Sequence, residues 1–152
     1  MTNNEKKEWL QRYRECWAEV EITQQEIEEL NSRAQKITAS LSPTPGGGQR
    51  ADFTLTVDRI IELKEKLDQQ VRLALLQRAE IETAIEQVRS PLHRRVLRRR
   101  YLNGDTFEKI AVDEDITYNH LVSRIHPQSL DMLECENAMH VDVIVCRLPS
   151  VL

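Results

Sequence analysis

From Trp9 to Leu41, apolar or small side chains recur with a strict four-three spacing, and neither Gly nor Pro interrupts it before Pro43. The series is Trp9, Tyr13, Cys16, Val20, Thr23, Ile27, Leu30, Ala34, Ile37 and Leu41, separated by Glu, Gln, Lys and Arg. An unbroken helix of about 38 residues extends roughly 57 Å at ~1.5 Å per residue. A helix that long cannot bury its stripe against itself, so it requires a partner helix. Thr23 is the weak rung. Trp9, Tyr13 and Trp17 read as aromatic packing at a helix end.

The partner lies downstream. Residues 41–50, LSPTPGGGQR, hold two prolines and three glycines, which end the helix and make ordering of the segment entropically costly. No Gly-Lys-Ser/Thr follows the glycines and no strand precedes them, so a phosphate-binding loop is excluded. A second helical pattern runs from about Phe53 to Val88, with Val57, Ile60, Lys64, Leu67, Val71, Ala74, Arg78, Ile81, Ile85 and Val88 in three-four spacing. Ile61, Leu63, Leu73, Leu75 and Leu76 widen this face beyond a two-stranded seam, which suggests more than one neighbour. The expected arrangement is an antiparallel helical hairpin, able to pair further into a homo-oligomer. Lys64 and Arg78 read as the edge of a wide face, their stems snorkelling.

Charge is unevenly spread. The chain carries a formal charge of −4, so any anionic partner must be met by local charge. Residues 1–88 hold 12 Lys+Arg against 16 Asp+Glu, residues 89–133 hold 8 against 6, and residues 134–152 hold 1 against 3. Only the middle segment is positive, through Arg89, Arg94, Arg95, Arg98, Arg99 and Arg100. Charged residues at 30% with aromatics at 5% suit long solvated helices and a modest core. Cys16, Cys135 and Cys146 form no disulfide framework, and the polar N-terminus and lack of a long apolar run point to a cytoplasmic protein with no membrane span.

The middle segment reads as three short helices with tight breaks. Ser90 can cap and Pro91 fits a first turn. Leu92, Val96, Leu97 and Tyr101 form the apolar side of a helix to about Leu102, with Arg94, Arg95, Arg98 and Arg99 outward. Asn103-Gly104 ends it, since glycine takes the positive φ needed there. Asp105 or Thr106 caps the next helix, whose inner face holds Phe107, Ile110, Ala111 and Val112. Asp113-Glu114-Asp115 is a polar turn, and Thr117 is the next N-cap. Leu121 or Val122, then Ile125, Leu130 and Leu133, make the buried side of the third helix. The expected fold is all-α: a helical hairpin or coiled coil over 1–88 with its break at 42–50, a helix-turn-helix module over 89–133, and an irregular tail over 134–152. In that tail Val141, Val143 and Val145 alternate as in a strand.

The run Arg100-Tyr101-Leu102-x-Gly104-x-x-Phe107-Glu108-x-Ile110-Ala111, then Thr117-Tyr118-x-His120, Arg124-Ile125-His126 and Leu130, resembles the sigma-like, ArpU-type transcriptional regulators of Gram-positive phages, whose C-terminal part is similar to region four of bacterial sigma factors. The resemblance spans about residues 25–133 and is specific over 95–130. It implies DNA-binding control of phage genes, late or packaging genes in particular. Phe107 stands where the family usually has Trp. Pro127 stands where Gly or another non-proline is common, and it predicts a kink or end of the third helix near His126.

Duplex DNA is thus the expected partner, with RNA polymerase as a further one. Affinity for duplex comes mainly from phosphates and sequence choice from base edges. Arg94, Arg95, Arg98 and Arg99, with Thr106 and Lys109, are the phosphate candidates. The alternative for the arginines is internal pairing with the acidic turn 113–115 or with Glu80, Glu82 and Glu86. Tyr118, Asn119, His120, Ser123 and Arg124 are the base-reading candidates, because the first turns of a recognition helix enter the major groove. His126, Cys135, His140 and Cys146 match no metal-finger spacing. No catalytic constellation stands out, so neither an enzyme nor a cofactor is expected. A phage DNA-packaging recognition subunit of small terminase type and a coiled-coil adaptor contacting RNA polymerase are the other readings.

Overall fold

The computed structural model describes residues 1–40 and 47–135. The described residues form helices, with no strand among them. In order these are α1 (Asn3–Ala39), α2 (Gly47–Glu86), α3 (Pro91–Leu97), α4 (Phe107–Asp113), α5 (Tyr118–His120) and α6 (His126–Met132). A π-helical segment, Arg98–Asn103, continues α3, and a second, Leu121–Ile125, joins α5 to α6. The alternating valines of the tail lie outside the described residues. No helix of the described residues is long and apolar enough to cross a membrane.

The chain divides into two compact units, one of residues Arg12–Arg78, the other of Met1–Gln11 with the chain from Ala79 on. The first is an antiparallel hairpin. Tyr13 meets Arg78, the Cys16 thiol donates to the Gln70 carbonyl, Glu26 pairs with Arg59, and Arg33 with Asp52, so one helix descends as the other climbs. The four-three series of α1 is its seam: Tyr13, Val20, Thr23 and Ile27 are buried, with Leu30 and Ala34 packed on Ile60 and Leu63.

On α2 the seam differs from the expected series. Thr56, Ile60, Leu63 and Ala74 are buried, whereas Lys64 is exposed and Val57 and Val71 lie at the flank. Ile60, Ala74, Ile81, Ile85 and Val88 are buried where the series has them, while Val57 and Lys64 give way to Thr56 and Leu63, because packing Leu63 with Ile27 removes more apolar surface than packing the Lys64 stem. The Thr56 hydroxyl meets the interior by donating to the Asp52 carbonyl at 2.8 Å. Ile61, Leu75 and Leu76 remain exposed. The helix starts at Gly47, within the expected break. First-turn residues have unsatisfied N–H groups in any case, so glycine is tolerated there better than in a helix interior.

In the second unit, Val96 of α3, Ile110 and Ala111 of α4, and Leu121 and Ile125 of the last helix form one core, with Leu92, Phe107 and Ile116 packed on it. Leu121 is fully buried and Val122 only partly, which decides the anchor left open by the sequence. Val112, expected inward, is 79% exposed. Ala111 and Ile110 already fill the inner face of a helix only seven residues long, and the next position points to solvent.

Pro127 does not end the helix. The chain stays helical from Tyr118 to Met132, with Pro127 near the start of α6. The π turn ahead of it, closed by the His126 N–H donating to the Leu121 carbonyl, shifts the hydrogen-bond register by one residue. That shift accommodates a residue with no donor of its own. Ser129 donates its hydroxyl to the Ile125 carbonyl at 2.7 Å. The start of α1 fastens this end: Lys6 Nζ reaches the Leu130 carbonyl at 2.7 Å and Asn3 Nδ2 donates to Asp131 Oδ1 at 2.8 Å.

Candidate nucleic-acid interface

The geometry of the interface begins at α4, a helix too short to be stable alone. Thr106 caps its start, its hydroxyl accepting the Lys109 N–H at 3.3 Å. Its end has the bonds of a Schellman motif. The Asp115 N–H bonds to the Val112 carbonyl and the Ile116 N–H to the Ala111 carbonyl, at 3.3 and 3.0 Å. Asp115 takes the left-handed position, φ 55°, where glycine is usual. Ile116 then packs on the core. The next residue, Thr117, caps α5 by accepting the His120 N–H at 3.2 Å. The chain before α4 turns at Gly104, φ 79°, and the Asp105 N–H closes onto the Arg99 carbonyl at 2.9 Å.

The five base-reading candidates all face solvent. Tyr118 is 49% exposed, and Asn119, His120, Ser123 and Arg124 are exposed beside it. Leu121 and Ile125 hold the opposite side of the same helix in the core. Ser123 turns its hydroxyl back onto the Asn119 carbonyl, which leaves its oxygen free to accept.

The arginine candidates take the internal partners that competed with phosphate. Arg95 grips Glu114 with two parallel bonds, Nε–Oε1 at 3.0 Å and Nη2–Oε2 at 2.9 Å. Arg99 spans Asp105 at 2.8 Å and Asp113 at 2.5 Å, and its side chain is only 19% exposed. Arg98 pairs with Glu82 at 2.5 Å. Arg94 donates to the Glu86 carbonyl at 3.4 Å. Lys109 shares Asp105 at 3.2 Å. Arg89, Thr106 and Lys109 are exposed. The bond from Arg99, then that from Lys109, holds the Asp105 carboxyl below its ordinary range, and the bond from Arg95 does the same to Glu114. Arg95 and Arg99 are correspondingly raised by their bonds to Glu114 and to Asp113 and Asp105.

A pair that the sequence did not advertise lies behind the helix that begins at Tyr118. The Tyr101 hydroxyl meets His126 Nε2 at 2.8 Å, both side chains buried. Phe107 meets the same imidazole edge-on, ring centres 4.9 Å apart, while the Arg100 guanidinium lies 4.3 Å from the Phe107 ring centre. Burial pushes Tyr101 up to about 12. Burial first, then the Lys7 and Arg100 charges, pushes His126 down to about 4. At neutral pH the imidazole is therefore uncharged and the phenol keeps its proton, the direction of the bond between them being set by the imidazole tautomer. Tyr101 was legible as core from its helical position; only the fold brings His126, 25 residues later, to its hydroxyl.

The arrangement presents an exposed polar helix on a buried apolar base, beside an arginine helix whose donors are largely engaged. No family model, no curated protein and no solved structure matches the chain.

Proposed function

We propose that the chain is a sequence-specific DNA-binding transcription regulator of sigma region-four type, in which α4, its turn and the helix from Tyr118 act as a helix-turn-helix. One observation carries this reading: Tyr118, Asn119, His120, Ser123 and Arg124 are all exposed on a helix whose other side is anchored by Leu121 and Ile125. An exposed asparagine can bond an adenine edge in two places and an exposed arginine can do the same for guanine. Tyr118 supplies a contact to a thymine methyl or a phosphate. Backbone contact is assigned to Arg94, Arg98, Thr106 and Lys109. Lys109 itself is solvent-facing, and Arg99 keeps the shielded Asp105 carboxylate paired when Lys109 turns to phosphate, so that exchange has a small cost. The family resemblance directs the proposal to phage late genes, and the hairpin provides helices for pairing two copies.

Selection of bound fragments from a genomic DNA library tests the reading. The native protein should retain a defined sequence, with retention falling as salt rises. Asn119→Ala and Arg124→Ala should each cost about 1–3 kcal/mol and relax choice at one base pair. Absence of salt-dependent retention by the native protein would sink the proposal.

A further inference from the structure

Arg95 and Arg99 look, in sequence, like the centre of a phosphate-binding patch. Their geometry assigns them other work. Three carboxylates bracket α4: Asp105 just before its cap, Asp113 as its last residue, and Glu114 at its C-terminal boundary. Arg99 uses Nε for the first and Nη2 for the second, so one guanidinium from the α3 extension ties both ends of the short helix. Arg95, a turn earlier, takes Glu114 in fork geometry, which fixes orientation as well as distance. Glu114 and Asp115 then lead into the turn whose Ile116 N–H closes on Ala111. Beyond that turn lies the Thr117 cap of the reading helix.

We propose that Arg95 and Arg99, with Asp105, Asp113 and Glu114, form a clasp that holds α4 and its turn, so that the two arginines are positioning residues for the reading helix and not phosphate contacts. The inference rests on the DNA-binding reading and deepens it. Two features favour a clasp over a set of arginines waiting for DNA. The Arg99 side chain and its Asp105 partner are mostly shielded from solvent, at 19% and 16% exposure. Glu114, at 14%, is likewise shielded, whereas a carboxylate serving as a removable phosphate mimic needs to swing into water.

The two roles predict opposite signs. If Arg95 contacts phosphate, Glu114→Gln frees it and affinity rises; in a clasp, Glu114→Gln and Arg95→Gln weaken binding alike. Affinity is measured for a duplex recovered by selection from a random-sequence library, across a salt series. For Glu114→Gln, Arg95→Gln and their double variant we expect similar losses of about tenfold, with the slope of log affinity on log salt unchanged. Arg99→Lys keeps the charge but loses the planar group that bonds Asp105 and Asp113 through separate nitrogens, and should show the same loss. Amide exchange in the free proteins should quicken at Glu114, Asp115 and Ile116 but not at Ile125. A rise in affinity for Glu114→Gln, a slope reduced by about one in Arg95→Gln, or unchanged exchange at the turn overturns the clasp. Failure of the native protein to bind any selected duplex overturns the DNA-binding reading itself, whatever the exchange result.

Discussion

In the hairpin of residues 12–78, charge lies on the flanks of an apolar seam. Arg59 and Glu26 pair at 3.5 Å with about half of each side chain in water, and Arg33 reaches Asp52 at 3.7 Å under similar exposure. In the unit that begins again at Ala79, charge closes the structure: Arg99 is shielded between two carboxylates and Arg95 is locked in a fork. The hairpin needs only length and a periodic stripe, because each added turn buries another rung. The second unit carries the seven-residue α4 between two longer continuous helices, Pro91–Asn103 and Tyr118–Met132, joined by tight turns. A helix as short as α4 needs caps, left-handed positions and side-chain ties, since its own propagation energy is small.

The largest expected effect of this contrast is on the core of the second unit. Leu121→Ala should destabilise the protein by about 2–5 kcal/mol in urea unfolding, because the fully buried leucine has helices on every side and the gap cannot collapse freely. Ile61→Ala on the exposed face of the hairpin should stay within about 0.5 kcal/mol. Equal losses at the two sites would dissolve the comparison.

Next comes acid sensitivity, which belongs to the second unit. His126 is held near 4 when folded against an ordinary value of 6.5. The unfolded chain therefore binds this proton more readily, so the stabilisation is full above pH 6.5 and is lost as pH falls toward about 4. The loss is at most about 3 kcal/mol. His126→Gln should flatten the stability profile through that window. A native profile already flat there would show that the imidazole is not a buried neutral group. Asp105 and Glu114 are lowered carboxylates, so their contribution is present above their ordinary range and is lost at still lower pH.

Smaller effects separate the two turns. Gly104→Ala should cost about 1–2 kcal/mol, since a Cβ is disfavoured in the left-handed region. Asp115→Gly should stabilise by about 1 kcal/mol at the equivalent position after α4, read as a rise in melting temperature. Smallest of all, Arg59→Ala in the hairpin should change stability by less than about 0.5 kcal/mol and lose even that in high salt. A large effect at Arg59 would mean that the hairpin also depends on its charges.

The sequence alone determined the all-α class, the long first helix and its seam, the glycine stop at Gly104 and the cap at Thr117, and it narrowed the cap of α4 to Asp105 or Thr106. These are local matters: periodicity, backbone freedom and a hydroxyl three residues from an N–H. It also marked the five polar residues from Tyr118 to Arg124 that turn out exposed. Tertiary structure decided the rest. Along α2, Thr56 and Leu63 are buried in place of Val57 and Lys64, because which of two adjacent positions is buried depends on the partner helix. Leu121 was chosen over Val122 by the shape of the core beneath it. Pro127 was absorbed by a π turn whose register no local rule specifies. Tyr101 found His126 across 25 residues of chain. Above all, Arg95, Arg98 and Arg99, which composition presented as part of one positive patch, were divided among carboxylates from three parts of the chain. A count of charges records their number but not their distances, and at 3.0 Å or less a fixed carboxylate competes with any phosphate still in solution.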